Sequence, residues 1–516
     1  MAKLNILDRI QALTNPLAVV KKLQARNVIE SYERQYEAVS GGRRNDGWSR
    51  PSTSGAEETR AAYLSLAATG SELVRNNPFA SRIKSVWASS IVGNGITPQF
   101  QATSKHKLSK FNEIYKSWAN SKDCDYEGHY NLSGLEWLWS ATIVESGGVF
   151  IRKVYDPSMK SPIKLRLQTL EQSYLDSAKH GFLGSDGDGE QTIGGITYLE
   201  NGVIKGYWLK DHINQSAIST KINSQFYSAD EVTHIFKKDR AGQPVGVSWL
   251  APVSNTLANY DRYSDAKLMQ QSIASCFGAI VTGAESSMGV GTGVTGSGGL
   301  EVDAIEPGMI EYMENAGKIT QLTPPKADNS TEFDIGLQRQ VAVGVNLTYE
   351  QLTGDYSRVN FASGRMGKTD FFTQLDFCQN LMLKPALDKI LRWFLDSYLI
   401  DVSSIPNNLN WQWVFPPRQA VNPREEFEIL FQKVRSGAMT PSELVQAGGK
   451  DFETTLNQWK KDQLLMDKLG LKFDSDPRYF ARTGNQLDDN DAAASNKSSE
   501  SGDKSFNESD ESKNKT

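Results

Sequence analysis

The stretch AAYLSLAATGSELVRNNPFASRIKSVWASSIVGNGITPQF, residues Ala61–Phe100, sets the punctuation from which the rest of the chain is parsed. Its apolar residues recur at helical spacing up to Asn77-Pro78, where helix is expected to break. The residue before a proline is pushed out of the α region, and the Asn77 carboxamide is placed to cap a new helix. A second amphipathic helix follows, and Gly93-Asn94-Gly95 turns the chain into a strand. The stretch thus reads as a helix, a break that caps a second helix, and then a strand.

Further along, Leu108, Phe111, Ile114, Tyr115 and Trp118 predict a helix over Lys107 to Ala119, and another follows around Leu135 to Glu145. Strands then take over. GGVFIRKVY, IKLRLQTL, GGITYLENGVIKGYWL and EVTHIFKK are short, β-branched and aromatic segments separated by Gly, Pro and Asp. They predict several strands of a mixed sheet, and an α+β domain over roughly residues 60 to 245. From Ser248 to about Ser275 one long amphipathic helix is expected, and a second from about Phe333 to Leu347. From Ser363 to Leu399 a further apolar face is interrupted at Lys384-Pro385, where a kink or break is expected. After a strand around Leu409 to Phe415, the pair Pro416-Pro417 opens a helical unit in which Thr440-Pro441-Ser442-Glu443 reads as a helix start.

The ends differ from this body. The first fifty residues hold nine basic groups against five acids and close in GGRRNDGWSRPSTSG, an expected flexible arm. Residues Leu487 to Thr516 hold eight acids against four lysines, so this Ser/Asn/Asp/Lys tail carries −4 of the net charge of −5. Such a composition cannot bury enough apolar surface to order itself. The remaining body is close to neutral, unlike a protein that grips nucleic acid tightly through counterion release. At 516 residues, 39% hydrophobic and 23% charged, the chain is an ordinary globular mixture. Neither a membrane-crossing apolar run nor a signal peptide is read in it, and synthesis in the cytoplasm is expected.

Catalytic and cofactor motifs are weak. Cys124, Cys276 and Cys378 lie far apart and read as buried thiols, and the five histidines are equally scattered, so no metal site is expected. Gly291-Thr292-Gly293-Val294-Thr295-Gly296 has dinucleotide-loop spacing but lacks the helix start that would hold a pyrophosphate. No P-loop and no GxSxG elbow occurs. The pairs Glu57-Glu58 and Glu425-Glu426 read as helix-start charges, and the tryptophans as packing residues. What remains is a glycine-bounded loop, TGDYSRVNFASG, and the helix start after it. There Arg358, Asn360, Arg365 and Lys368 stand beside Tyr356 and Phe361, a set suited to touching a passing phosphate backbone, with a plain solvated loop as the alternative.

The order of segments carries a resemblance. Glu72-Leu73-Val74-Arg75-Asn76-Asn77-Pro78-Phe79-Ala80, followed by Val92-Gly93-Asn94-Gly95-Ile96-Thr97-Pro98, resembles the opening signature of lambda-type portal proteins of tailed bacteriophages. GVSWLAPV (Gly246–Val253), YSRVNFASGR (Tyr356–Arg365) and the proline-led helices after Trp411 and Trp413 fall in the same family order, over roughly residues 60 to 480. The resemblance implies a portal-type α+β protomer with no enzymatic activity and no cofactor. It implies a homo-oligomeric ring, usually of twelve copies, at one capsid vertex, through which double-stranded DNA is packaged and ejected without sequence readout. Implied partners are the terminase large subunit, the major capsid and scaffold proteins, and head-completion and tail-connector proteins, with no membrane involved. The location implied is the virion, with the host cytoplasm during assembly.

The expected division is a basic arm over 1–59, an α+β wing over 60–245 and a first stem helix over 246–279. A clip with the glycine-rich segment follows over 280–330, a second stem helix over 331–349 and a tunnel loop over 350–364. A long wing helix and strand over 365–419, a helical crown over 420–482 and a disordered acidic tail over 483–516 complete it. Arg358, Asn360, Arg365 and Lys368 then become candidates for weak backbone contacts in a DNA channel. The residues themselves leave two alternatives open: another phage structural part, of capsid or tail, or a hydrolase whose site assembles only in space.

Overall fold

The computed structural model describes residues 53–182, 190–210, 224–275, 279–282, 310–313, 318–321, 330–402, 404–418, 422–450, 452–471 and 473. Most of the basic arm, the glycine run with its dinucleotide-like spacing, Cys276, His212 and the acidic tail lie outside these residues. Thr59–Thr516 form one compact unit, and the described part of the preceding unit, Met1–Glu58, is the start of the first helix.

Helices α1 (Gly55–Asn76) and α2 (Pro78–Val92) meet at Asn77, as the proline and the carboxamide predict. Asn77 Oδ1 accepts the amides of Phe79 and Ala80, and its Nδ2 donates to the Asp261 carboxylate at 2.9 Å. Strand β1 (Thr97–Gln101), α3 (Lys105–Asn120) and α4 (Leu132–Ser146) follow. Then come β2 (Gly148–Tyr155), β3 (Leu165–Glu171), β4 (Gly181–Phe182), β5 (Gln191–Ile193), β6 (Ile196–Tyr198), β7 (Ile204–Lys210), β8 (Ser224–Ser228) and β9 (Val232–Phe236).

The mixed sheet expected here is instead two antiparallel sheets, ordered β3-β2-β9 and β4-β5-β6-β7-β8. Short connections explain the difference. Gly194-Gly195, both with positive φ, close β5 onto β6 in a two-residue hairpin, whereas a parallel pair needs a crossover of a dozen residues or more. Side chains of β2 alternate between two cores. Val149 and Ile151 enter the main core with α2, α3 and α4, while Phe150 enters a smaller one with Tyr63, Tyr207 and Leu209 under the second sheet.

Helix α5 spans Ser254–Ser275, shorter than the sequence pattern suggests. Residues before it turn tightly, and Pro252 sits in a single 3-10 turn, Ala251–Val253. Strands β10 (Ala279–Thr282), β11 (Ile310–Met313) and β12 (Lys318–Gln321) form a small sheet with the order β11-β10-β12. Helix α6 (Ser330–Gly344) starts and ends about three residues earlier than expected, and α7 (Tyr349–Thr353) follows it.

Helices α8 (Phe361–Phe377) and α9 (Lys384–Asp401) are joined by a π-helical turn, Cys378–Leu383, so the helix neither breaks nor stops at Pro385. A proline cannot donate to the carbonyl one turn back, and the wider turn accommodates that missing bond. Gln379 inside this turn is buried and donates to the Ile91 carbonyl at 2.8 Å. Around α9, Phe394 packs against Phe111, Tyr115, Trp118 and Tyr398 at ring separations of 5.0 to 6.2 Å, which pins α3 to α9.

Strand β13 (Asn410–Val414) pairs antiparallel with β1, over three hundred residues earlier. It is tied to α9 by one carboxylate. Asp388 Oδ1 accepts both indole N–H groups, from Trp411 at 2.8 Å and Trp413 at 2.7 Å. Hydrogen bonds to a charged acceptor are worth about 1.5–3 kcal/mol each, so Asp388→Ala is expected to cost about 3 kcal/mol in urea unfolding. Asp388→Asn keeps an acceptor oxygen and should lose about half as much, and equal losses for the two variants would reject this reading.

The C-terminal unit holds α10 (Pro423–Arg435), α11 (Pro441–Ala447) and α12 (Phe452–Leu469). Thr440 and Glu443 form the reciprocal cap that their spacing predicts, and Glu425-Glu426 occupy a first helical turn. Cys124 and Cys378 are buried, and burial pushes both thiols up to about 12.

Candidate nucleic-acid interface

The loop that carries the candidate cations is built by its polar residues. Thr348 and Gln351 form a reciprocal cap on α7, and Gly354 ends that helix in the left-handed region at φ 76°. Asp355 then bends the chain: its Oδ1 accepts the Ser357 amide at 2.9 Å, and Tyr349 donates its phenol to Oδ2 at 3.4 Å. The hydrogen bonds from Ser357, with a smaller contribution from Arg358, hold the Asp355 carboxyl below its usual range. This Asp-x-Ser turn has a signal in the sequence, because an aspartate two residues before a free amide is a standard turn former. The reading of the cations alone passes over it.

Asn360 is the N-cap of α8. Its Oδ1 accepts the Ser363 amide at 2.8 Å and the Ser363 hydroxyl at 2.9 Å. Its carboxamide oxygen is thus committed to holding the helix start, while Asn360 is itself exposed and the cap leaves its Nδ2 donors unused. Arg358 is exposed on the loop just before the cap, and Arg365 is exposed on the first turns of α8. Lys368 is half-buried and stands three residues on, so helical geometry puts it on the same side as Arg365. Among the described residues none of these three cations lies within ion-pair distance of a carboxylate. Tyr356 projects beside them, 62% exposed.

Below the loop lies a feature that the sequence did not reveal, an open groove of about 710 Å³. It is lined by Pro78, Phe79 and Arg82 of α2, Gln338 of α6, and residues 349 and 352–354. Arg82 Nε donates to the Gln351 carbonyl at 3.1 Å, which fixes α7, and hence the loop, to α2. Helix α2 meets segments more than two hundred residues further on here, and no local pattern encodes that meeting.

Other chemistry is sparse. Among the described residues no group of three or more His, Cys, Asp or Glu is placed to hold a metal ion. No helix there is long and apolar enough to cross a membrane. His234 is stacked on Phe150 at 4.0 Å inside the smaller core, and burial holds its imidazole down to about 3. His180 accepts the Gly194 amide at 3.2 Å in a hairpin.

Comparison with known proteins agrees with the segment order. Residues 41–379 match the family model described as phage portal protein, lambda family. A probable portal protein of Halomonas phage phiHAP-1 is 23% identical over 435 residues, covering 77% of this chain and 79% of that relative. Portal protein B of Escherichia phage lambda is 18% identical over 496 residues, covering 85% and 92%. Among solved structures, the neck of a native gene transfer agent particle computed with C12 symmetry is similar at 15% identity and a TM-score of 0.41, over 77% of this chain and 95% of that one. An HK97 family phage portal protein from Corynebacterium diphtheriae is 9% identical with a TM-score of 0.31, over 61% and 85%. The family match spans more than half of the sequence and includes the capped α1–α2 junction, helices α5, α6 and α8 and the cation-bearing loop: the chain belongs to the lambda family of phage portal proteins.

Proposed function

We propose that this chain acts as a ring of twelve copies at one capsid vertex, through which double-stranded DNA enters and leaves the head. The observation that carries the reading is the family match over residues 41–379, which includes the loop and helix start bearing three cations that have no ion pair among the described residues. In this reading residues 60–245 form the wing and α5 and α6 the stem. The segment 280–330 is the clip, the loop before α8 faces the channel, and α10–α12 form the crown. The terminase large subunit, capsid and scaffold proteins, and head-completion and tail-connector proteins are its partners, in the host cytoplasm during assembly and in the virion afterwards. It catalyses nothing itself, and the motor supplies the work.

The physical case rests on weak contact. A conduit must not trap a polyanion, and binding strengthens with every phosphate neutralised. Three cations per copy, on a short loop and at the positive end of a helix, give sequence-independent guidance without a deep well. Asn360 caps the helix that carries Arg365 and Lys368 and offers its amide N–H groups to the same phosphate backbone. Electron microscopy of the purified protein should show rings with an axial opening wide enough for duplex DNA. A monomer stable under all assembly conditions would sink the proposal.

The three cations are tested as a set. Replacing Arg358, Arg365 and Lys368 together by glutamine should leave rings intact. The slope of log affinity for duplex DNA against log salt should fall by about one unit for each phosphate that is no longer neutralised. An unchanged slope in intact rings would remove these residues from the channel wall.

A further inference from the structure

Beyond the smaller core, the end of the β3-β2-β9 sheet gathers polar side chains whose enclosed atoms have no partner. On one face of β2, Phe150 enters that core, and Arg152 and Val154 follow it at every second position. The antiparallel register sets Arg152 directly opposite Gln168, and Val154 opposite Arg166. Opposed residues have Cβ atoms about 5 Å apart and diagonal ones roughly 7–8 Å, within reach of long side chains. Arg152, Gln168 and Arg166 therefore stand together on a face that is apolar one pair further along, at Phe150 and Leu170.

All three are half-buried, and each holds an enclosed polar atom without a hydrogen-bond partner: Arg152 Nε, Arg166 Nε and Gln168 Oε1. The Arg152 guanidinium lies over the Tyr227 ring at 4.5 Å, so β8 helps to fix its place. Among the described residues it is within ion-pair distance of no carboxylate. Arg166 reaches Asp156 only at 3.5 Å, too long for a strong charged hydrogen bond. Asp156 Oδ1 already accepts the amide and the hydroxyl of Ser158, at 3.1 and 2.6 Å.

The unmet needs have two signs. Two guanidinium groups lack acceptors, and an enclosed amide oxygen lacks a donor. Leaving such groups unpaired is costly, and the fork of an arginine matches the oxygens of a phosphate. A phosphate that keeps one proton supplies both kinds of partner: bare oxygens for Arg152 and Arg166, and a P–OH that donates to Gln168 Oε1. Sulfate and the phosphodiesters of DNA carry no such hydroxyl, and a carboxylate has only two oxygens to offer three side chains.

We propose that Arg152, Gln168 and Arg166 form a binding site for a protonated phosphate group, free or as a monoester, which ties β2 to β3 where the smaller core stops. The inference is independent of the portal reading.

The full chain is titrated with inorganic phosphate by isothermal calorimetry in chloride at constant ionic strength. Saturable binding at one site per protomer is expected, about tenfold tighter than that of sulfate, the difference being the hydroxyl. O-phosphoserine in the same buffer distinguishes a monoester from the free ion, by which of the two binds more tightly. Arg152→Lys keeps a charge without the fork and should weaken phosphate binding about tenfold. Gln168→Glu sets a carboxylate opposite Arg152 and supplies the missing acceptor from within. It should abolish phosphate binding and raise the melting temperature of the anion-free chain, a gain that a folding defect cannot imitate. Absence of saturable binding, which would leave water as the partner of these groups, overturns the proposal. So does sulfate binding as tight as phosphate, an Arg152→Lys chain with parental affinity, or a Gln168→Glu chain that still binds phosphate or melts below its parent.

Discussion

Gly246→Ala is expected to lower the unfolding free energy by about 4 kcal/mol, at the upper end of single-site effects, and to sharply reduce the yield of folded protein. A Cβ at this position would lie 1.9 Å from the Gly147 carbonyl oxygen and 2.7 Å from both its carbon and Phe236 Cβ. These are backbone atoms and a strand side chain at its root, so nothing flexible can yield. Gly147 is itself constrained: it ends α4 in the left-handed region at φ 97°, and its own added Cβ would meet the Val247–Ser248 backbone at 2.5 to 2.7 Å. The two glycines allow one chain to cross another where α4 gives way to β2. The buried Gln172 locks the same crossing, accepting the Gly246 amide and donating to its carbonyl, both at 2.9 Å. The control is Gly336→Ala on α6, where a Cβ meets nothing within 4 Å. That change removes backbone freedom from the unfolded chain and should add about 0.5–1 kcal/mol. Urea unfolding measures both, and a tolerated Gly246→Ala would refute the close-crossing argument.

The second large effect concerns pH. Glu136 on α4 is 1% exposed, with Oε2 accepting the Ile96 amide at 2.9 Å and Oε1 finding no partner. Burial raises its carboxyl to about 8, against a smaller lowering by the Ile96 amide. The folded state therefore holds a proton that the unfolded chain has released above pH ~4.5. Glu136 contributes stability that is full below that pH, declines as pH rises, and is gone above about 8. At roughly 1.4 kcal/mol per unit the total is on the order of 5 kcal/mol.

His234 acts in the opposite sense. Its folded value near 3 lies below the ordinary 6.5, so stability is lost as pH falls from 6.5 toward 3. Between about 4.5 and 6.5 the two slopes offset each other, and this pair yields a plateau with a fall on each side. Glu136→Gln keeps an acceptor for Ile96 and cannot ionise. It should abolish the alkaline fall and leave stability near pH 5 close to that of the parent chain. His234→Phe should remove part of the acid fall, the rest belonging to carboxylates such as Asp401, which hydrogen bonds from Tyr155, Ser397 and Lys164 hold below the usual range against its own burial. Parallel pH–stability curves for the parent and Glu136→Gln would refute the buried-acid account.

The two effects show how differently the parts of this fold are written in the sequence. A glycine in GVSWLAPV marks a backbone that needs space, but not what fills that space. Glu136 sits in LSGLEWLWS, and nothing in that helical pattern distinguishes a solvated acid from one enclosed on all sides. The candidate interface divides in the same way. The cations and glycines of TGDYSRVNFASG stand in plain view, whereas the commitment of Asn360 to a cap depends on the backbone conformation at Ser363. The groove beneath the loop depends on α2, α6 and α7 converging.

What this chain's sequence determined by itself is local or collinear. It determined the break and cap at Asn77-Pro78, the turn at Gly93–Gly95, the Thr440 cap, the helix and strand segments, the α+β class and the order of blocks that marks the family. These follow from torsional preferences and hydrogen bonds within a few residues, which act before the chain has folded. Only the tertiary structure decided that the strands run antiparallel in two sheets, that a π turn carries the helix through Pro385, and that Asp388 gathers two indoles. It alone closed Gly147 against Gly246 and left the C-terminal helices with bare apolar faces. Those outcomes depend on which distant surfaces exclude water together, and burial is a property of the assembled volume that no short stretch of residues contains.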